Sequence, residues 1–168
     1  NSVVELSPDG EQRVIWSTWD EWVPGIDGEV QTNGYWYHAH AIDIEHRSEM
    51  REFVRAVVKE YGSIDVLVTN CGGPPHGRGL EITDEQWDGA VASTLMVAVN
   101  WTREVVPLMI PKRWGRVVLI ASTSVKQPIE GLILSNTMRT GVVGFAKTMS
   151  RELAPHNVLV NVVCPGLF

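Results

Sequence analysis

Ser122, Ser135 and Arg139 are the residues whose types and spacing could do chemistry in this chain. Ser122 follows the apolar run Val117-Val118-Leu119-Ile120, and Ser135-Asn136-Thr137-Met138-Arg139 comes thirteen residues later. The Ser122 hydroxyl can orient a carbonyl oxygen, Ser135 is short for reaching the same oxygen, and an arginine four residues beyond Ser135 lies one helical turn away from it. Its guanidinium is a fixed cation that could polarise a water but cannot relay a proton. A serine hydroxyl is far less acidic than a phenol, so Ser135 is a poor general acid. The competing reading makes residues 135–139 the first turn of a helix, with Ser135 as its N-cap.

Other groups compete for attention. His38 and His40 stand two apart and would share one side of a strand, with His46 near by. No further Cys or Glu completes a metal set, so solvated or hydrogen-bonded histidines are expected there and no metal. His76 and Arg78 sit in a Gly/Pro-rich stretch and could touch a ligand phosphate, although loop charges are more often merely solvated. Cys71 and Cys164 are far apart and outside any CxxC spacing. Both are expected as reduced thiols, with Cys71 a small buried filler.

The elements that must position these residues fall into two textures. Residues 1–40 hold four of the seven tryptophans and the turn signals Pro8-Asp9-Gly10, Pro24-Gly25, Asp27-Gly28 and Asn33-Gly34. Val3–Leu6 and Arg13–Trp16 predict a hairpin, and 35–42 another extended piece. The tryptophans could form a ligand platform, but more often pack a small β core or an interface.

Residues 41–168 alternate apolar strands with amphipathic helices. Strands are expected at 41–44, 64–69, 116–121 and 158–163. Helices are expected at 48–61, capped by Ser48 and stopped by Gly62; from 83–86 to 109, capped by Thr83 or Asp84; and at 136–153. That order implies an α/β fold: an incomplete, Rossmann-like doubly wound parallel sheet with an irregular β-rich N-terminal segment. Ligands of such sheets bind beyond the carboxyl ends of the strands. Asn70-Cys71-Gly72, Ser122 and Pro165-Gly166 all fall at such ends.

The formal net charge of −6 argues against nucleic-acid or anionic-membrane partners. No run of eighteen apolar residues suggests a spanning helix, and Asn1–Glu5 lacks the look of a signal peptide, so a cytoplasmic protein is expected. The long helices carry Val91, Leu95, Val99, Val142, Val143 and Phe145, which permit homo-oligomerisation without demanding it.

Residues 41–168 resemble the short-chain dehydrogenase/reductase family. The matching pieces are Asp43-Ile44, Thr69-Asn70-Cys71-Gly72, Trp87, Pro107-Leu108-Met109, Gly115-Arg116-Val117-Val118 with Ser122, and Asn161-Val162-Val163-Cys164-Pro165-Gly166. The resemblance implies a nicotinamide cofactor, NADP or NAD, and a small carbonyl or alcohol substrate. It implies cofactor contacts at Asp43, Ile44, Asn70, Cys71, Gly72, Arg139, Pro165 and Gly166. It puts the family's catalytic tetrad at Ser122, Ser135, Arg139 and Thr94, of which only Ser122 keeps the family's identity. Ser135 replaces a tyrosine, Arg139 a lysine, and Thr94 an asparagine. The Gly-rich phosphate loop of the family has no counterpart in residues 1–40, and the chain stops at Phe168, short of the family's substrate loop. Those departures imply weakened cofactor hold and slowed turnover, or else a non-catalytic, truncated or fused remnant of a nucleotide-binding fold. Separately, Val4–Gly10, Ile15–Ser17 and Trp36–Asp43 are similar to strand segments of arylsulfotransferase-like β-propellers, which implies a join near Asp43.

Overall fold

The computed structural model describes residues 3–6, 12–16 and 47–166. The chain divides into two compact units, Asn1–Ala41 and Ile42–Phe168. In the first, β1 (Val3–Leu6) and β2 (Gln12–Trp16) form the expected antiparallel hairpin, with an irregularity beside Val3. The extended segments expected at 35–44, and with them His38, His40, Asp43, Ile44 and His46, lie outside the described residues.

The second unit is α/β. Its order is α1 (Arg47–Tyr61), β3 (Val66–Thr69), α2 (Asp84–Ala90), a π-helical stretch (Val91–Met96), α3 (Val97–Met109), β4 (Gly115–Ile120), α4 (Ile133–Leu153) and β5 (Val158–Val163). The strands form one parallel sheet in the order β3-β4-β5, with α2–α3 and α4 as the crossovers. Parallel neighbours cannot be joined by a tight turn, so a helix must return the chain each time.

Local chemistry explains the boundaries, and corrects several of them. Arg47 begins α1, so Ser48 lies inside the first turn and is not the cap. Gly62 ends the helix at φ +80°, its N–H donating to the Val58 carbonyl at 2.8 Å; that backbone conformation suits glycine. Thr83 caps α2 through a reciprocal box with Gln86. The long helix to Met109 is continuous, but Val91–Met96 is underwound into π turns. β3 starts at Val66, two residues later than expected, because Ser63 and Asp65 bond each other in the turn before it.

One face of the sheet carries the core. Val117, Leu119 and Val158 are fully buried against Val105, Met109, Val142 and Leu153 of α3 and α4. The alternate residues point the other way, and Val68, Leu159 and Val163 are exposed there. Arg51 of α1 pairs with Glu104 of α3 at 2.9 Å, and Phe53 meets Trp101 edge to face.

Gly115 opens β4 hard against Met109. A methyl group there would collide with the Cβ and Cγ of that fully buried side chain. Those atoms are anchored near the helix backbone and cannot swing aside. Gly115→Ala is therefore expected to cost about 1–3 kcal/mol, the usual range for overpacking. Urea unfolding checks this: the midpoint should fall with an unchanged slope.

Candidate functional site

The carboxyl ends of the three parallel strands meet at one edge of the sheet. β3 runs out into Asn70-Cys71-Gly72, β4 into Ala121-Ser122, and β5 into Cys164-Pro165-Gly166. Two bonds extend the β4–β5 pairing past its last register pair: Ala121 N–H to the Val163 carbonyl at 2.7 Å, and Thr123 N–H to the Pro165 carbonyl at 3.1 Å. Ser122 is thus held at the strand end in extended conformation. Its Oγ accepts the Ser124 N–H at 3.1 Å, capping a short 3-10 turn.

Helix α4 brings Arg139 to this edge, with Ser135 one turn earlier on the same helix. The helix starts at Ile133, with Leu132 at the cap position, so Ser135 is the third helical residue and not an N-cap. Ser135 is half-buried, and its hydroxyl makes no hydrogen bond with any described residue. Arg139 is 6% exposed. Its Nη1 donates to the Ile120 carbonyl at 2.7 Å, and its Nη2 to the carbonyls of Cys71 at 3.0 Å and Gly72 at 3.4 Å. Its Nε is buried without a hydrogen-bond partner among the described residues.

Thr94 lies in the π stretch, 1% exposed, with an unpartnered Oγ1. Its backbone carbonyl faces the Cys71 thiol at 3.9 Å. π turns often mark functional positions because they displace a carbonyl from the regular ladder. Thr94, Cys71 and Arg139 are thus linked at the end of β3, and Arg139 also reaches Ile120, two residues before Ser122. Asn70, Gly72, Pro165 and Gly166 are exposed along the same edge. A methyl group built on Gly72 or Gly73 would meet nothing within 4 Å, so the loop borders open space.

Burial pushes the Cys71 thiol up from its ordinary pKa, and the neighbouring Arg139 only partly counters it. Cys164 is exposed. The thiolate is the reactive form, so maleimide at neutral pH should label Cys164 first. In Cys164→Ser protein, uptake should be slow and should accelerate only as the pH passes above the ordinary thiol range. Mass spectrometry of the labelled peptides reads the order.

One positioning residue escaped the motif reading. The Asn136 side chain donates from Nδ2 to the Ile129 carbonyl at 2.9 Å and accepts the Ile129 N–H at Oδ1 at 3.3 Å. It pins the loop between β4 and α4. That loop in turn holds the loop after β3, through Gly77 N–H to the Gly131 carbonyl at 2.8 Å. Arg78 pairs with Glu130 at 3.2 Å in the open, and His76 is exposed. The Asn136 signal was a polar residue directly after Ser135, which a helix-start reading absorbed.

A family model described as short chain dehydrogenase matches residues 6–168. A protein named as a monensin polyketide synthase ketoacyl reductase, from Streptomyces virginiae, is 36% identical over 82% of this chain and 53% of its own length. The 3-oxoacyl (acyl-carrier-protein) reductase of Thermotoga maritima is 35% identical over 84% of this chain and 55% of its own. Dehydrogenase/reductase SDR family member 4 of Homo sapiens is 30% identical over 96% of this chain and 59% of its own. The chain spans about half the length of the relatives it matches. The family match reaches back to residue 6, well before the motifs that begin at Asp43. The likeness to β-propeller strands finds no support. No helix among the described residues is long and apolar enough to cross a membrane.

Proposed function

The chain belongs to the short-chain dehydrogenase family, and from that premise we propose that it carries the nicotinamide side of an oxidoreductase site acting on a small carbonyl or alcohol. The observation that carries the reading is the meeting of Ser122, Arg139, Asn70-Cys71-Gly72 and Pro165-Gly166 at the carboxyl edge of one parallel sheet, where such folds bind ligands. Two of the similar proteins are named as ketoacyl reductases, so a β-keto ester is the first substrate to try.

The described residues fit the nicotinamide half of the cofactor. Gly72 and Gly73 leave open space, and Pro165-Gly166 flank it from β5. Bound there, NADP or NAD would supply or receive the hydride. Asn70, Gly72, Pro165 and Gly166 would line the ring, and the Ser122 hydroxyl would orient the substrate oxygen. For Ser122 to donate to that oxygen, its Oγ goes on accepting the Ser124 N–H while its own proton turns outward. Ser135 would hold a water as the proton source, and Arg139 would supply a fixed positive field without moving a proton. Thr94 would keep the loop after β3 in place through its carbonyl. Asp43 and Ile44 would contact the adenine.

Removing a phenolic acid costs typically about 10²–10⁴ in rate. Turnover through a serine-held water should accordingly be slow, and Ser122→Ala should lower it further without weakening cofactor binding. The second reading is a nucleotide-binding domain without catalysis, and it is favoured by Ser135 standing where the family's acid belongs. Titration with NADPH and NADH, followed by tryptophan quenching and energy transfer to the reduced ring, tests both readings. Saturation in the micromolar range supports a nucleotide site, and NADPH-dependent loss of a β-keto ester separates enzyme from binder. No binding at millimolar cofactor sinks both.

A further inference from the structure

Arg139 stands where the family's lysine would be available to a bound cofactor, yet both of its terminal nitrogens are spent on the protein's own backbone. The β3–β4 ladder ends at the register pair Thr69 and Leu119. Beyond it the two strands part, and the next backbone hydrogen bond between their continuations is Gly77 N–H to the Gly131 carbonyl, eight residues past Thr69. The guanidinium fills that gap: one nitrogen holds Ile120, the last residue of β4, and the other holds Cys71 and Gly72 after β3. It does this at 6% exposure from α4, an element outside the sheet.

We infer that Arg139 is a positioning residue, whose planar fork ties the end of β3 to the end of β4 and so sets the width of the crevice between Asn70-Cys71-Gly72 and Ala121-Ser122. The chemistry of the fork is what the task requires. Two terminal nitrogens at fixed separation reach acceptors on two strands at once, whereas a lysine offers one compact charge on a flexible stem. No carboxylate among the described residues pairs with Arg139, so its partners are neutral carbonyls and the bonds are directional rather than a salt bridge. Buried donors and acceptors left unmade are costly, which makes the tie hard to replace. On this view the arginine is not an imperfect copy of a cofactor-binding lysine. It belongs to the same motif as Asn136, one turn earlier, which pins the loop after β4 in the same manner. The inference takes from the proposed function only that this crevice is the ligand site.

The test compares wild-type protein with Arg139→Lys and Arg139→Met. Amide hydrogen exchange is followed across residues 70–73 and 121–124, and NADPH affinity by tryptophan quenching. Loss of the tie should speed exchange in both segments by roughly tenfold or more, as expected for local opening, while α1 exchanges as before. It should weaken NADPH binding by a similar factor in both variants, with little change in melting temperature for Arg139→Lys. If Arg139→Lys keeps wild-type exchange and affinity while Arg139→Met loses affinity, the side chain acts through its charge on the ligand and the tie is refuted. Unchanged exchange in Arg139→Lys refutes it equally, and that variant decides alone should Arg139→Met fail to fold. If wild-type protein binds no NADPH, the proposed function fails, but the exchange comparison still decides the role of Arg139.

Discussion

Ser135→Tyr is expected to raise the rate of NADPH-dependent β-keto ester reduction by about 10²-fold or more, the scale of a positioned general acid. Position 135 is half-buried on the third residue of α4, its hydroxyl is uncommitted, and Arg139 lies one turn beyond on the same helix. A phenol there has the longer reach that the serine lacks, on the helix that already carries the cation. The guanidinium is bound to carbonyls, but its field still favours the phenolate and lowers the phenol from its ordinary pKa near ~10. The rate should therefore gain a pH dependence that the wild-type protein lacks, falling as the phenol loses its proton. KM for NADPH should hardly move, because the proposed cofactor contacts follow β3 and β5 and none is on α4 before Arg139. A variant that binds NADPH as well as wild type but reduces no faster would show that position 135 does not face the reacting oxygen. Adding Arg139→Lys to Ser135→Tyr recreates the family's pair, and it should lower the gain rather than extend it, since it undoes the tie between β3 and β4.

The sheet was legible because its signals are local and repeated. β5 has the bounds expected from Val158–Val163, and β4 is displaced by one residue, since each is a short apolar run closed by a turn. The stop at Gly62 and a cap at Thr83 or Asp84 were legible for the same reason, since each depends on residues within one turn; the structure selects Thr83 and adds the reciprocal bond from Gln86. The start of α4 was not. Serine is a good cap, and Ser135 invited that reading, but the helix begins at Ile133. Leu134 is fully buried and packs with Ala90 and Met138, so tertiary contact draws the helix earlier than side-chain capping would. The site residues came from motif positions, which say where a side chain stands and not what it bonds. Arg139 illustrates the gap: its location at the strand edge could be expected, but its three carbonyl partners lie 19, 67 and 68 residues away along the chain. No short-range pattern encodes such bonds. The π stretch was equally silent, because Val91–Met96 keeps an ordinary helical composition.

Asn136→Leu should show how far the site depends on its surrounding loops. Leucine nearly matches asparagine in shape but offers neither donor nor acceptor, so the Ile129 N–H and carbonyl both lose their partner. Each orphaned backbone group costs about 1–3 kcal/mol when water is excluded. Ile129 is only half-buried and water would relieve part of the loss, so about 2–4 kcal/mol is expected for the pair. Chemical unfolding measures it. Asn136→Asp gives a sharper comparison: it keeps an acceptor for the N–H but sets a negative charge against the Ile129 carbonyl. That repulsion is relieved when the carboxyl is protonated, so the aspartate variant should regain stability as pH falls through the carboxylate range, and the leucine variant should not. If both variants unfold at the wild-type denaturant concentration, the loop after β4 is held by other contacts, such as the Gly77–Gly131 bond, and Asn136 is dispensable. If only the aspartate variant recovers in acid, the two hydrogen bonds of Asn136 are what fix the loop that precedes Ser135.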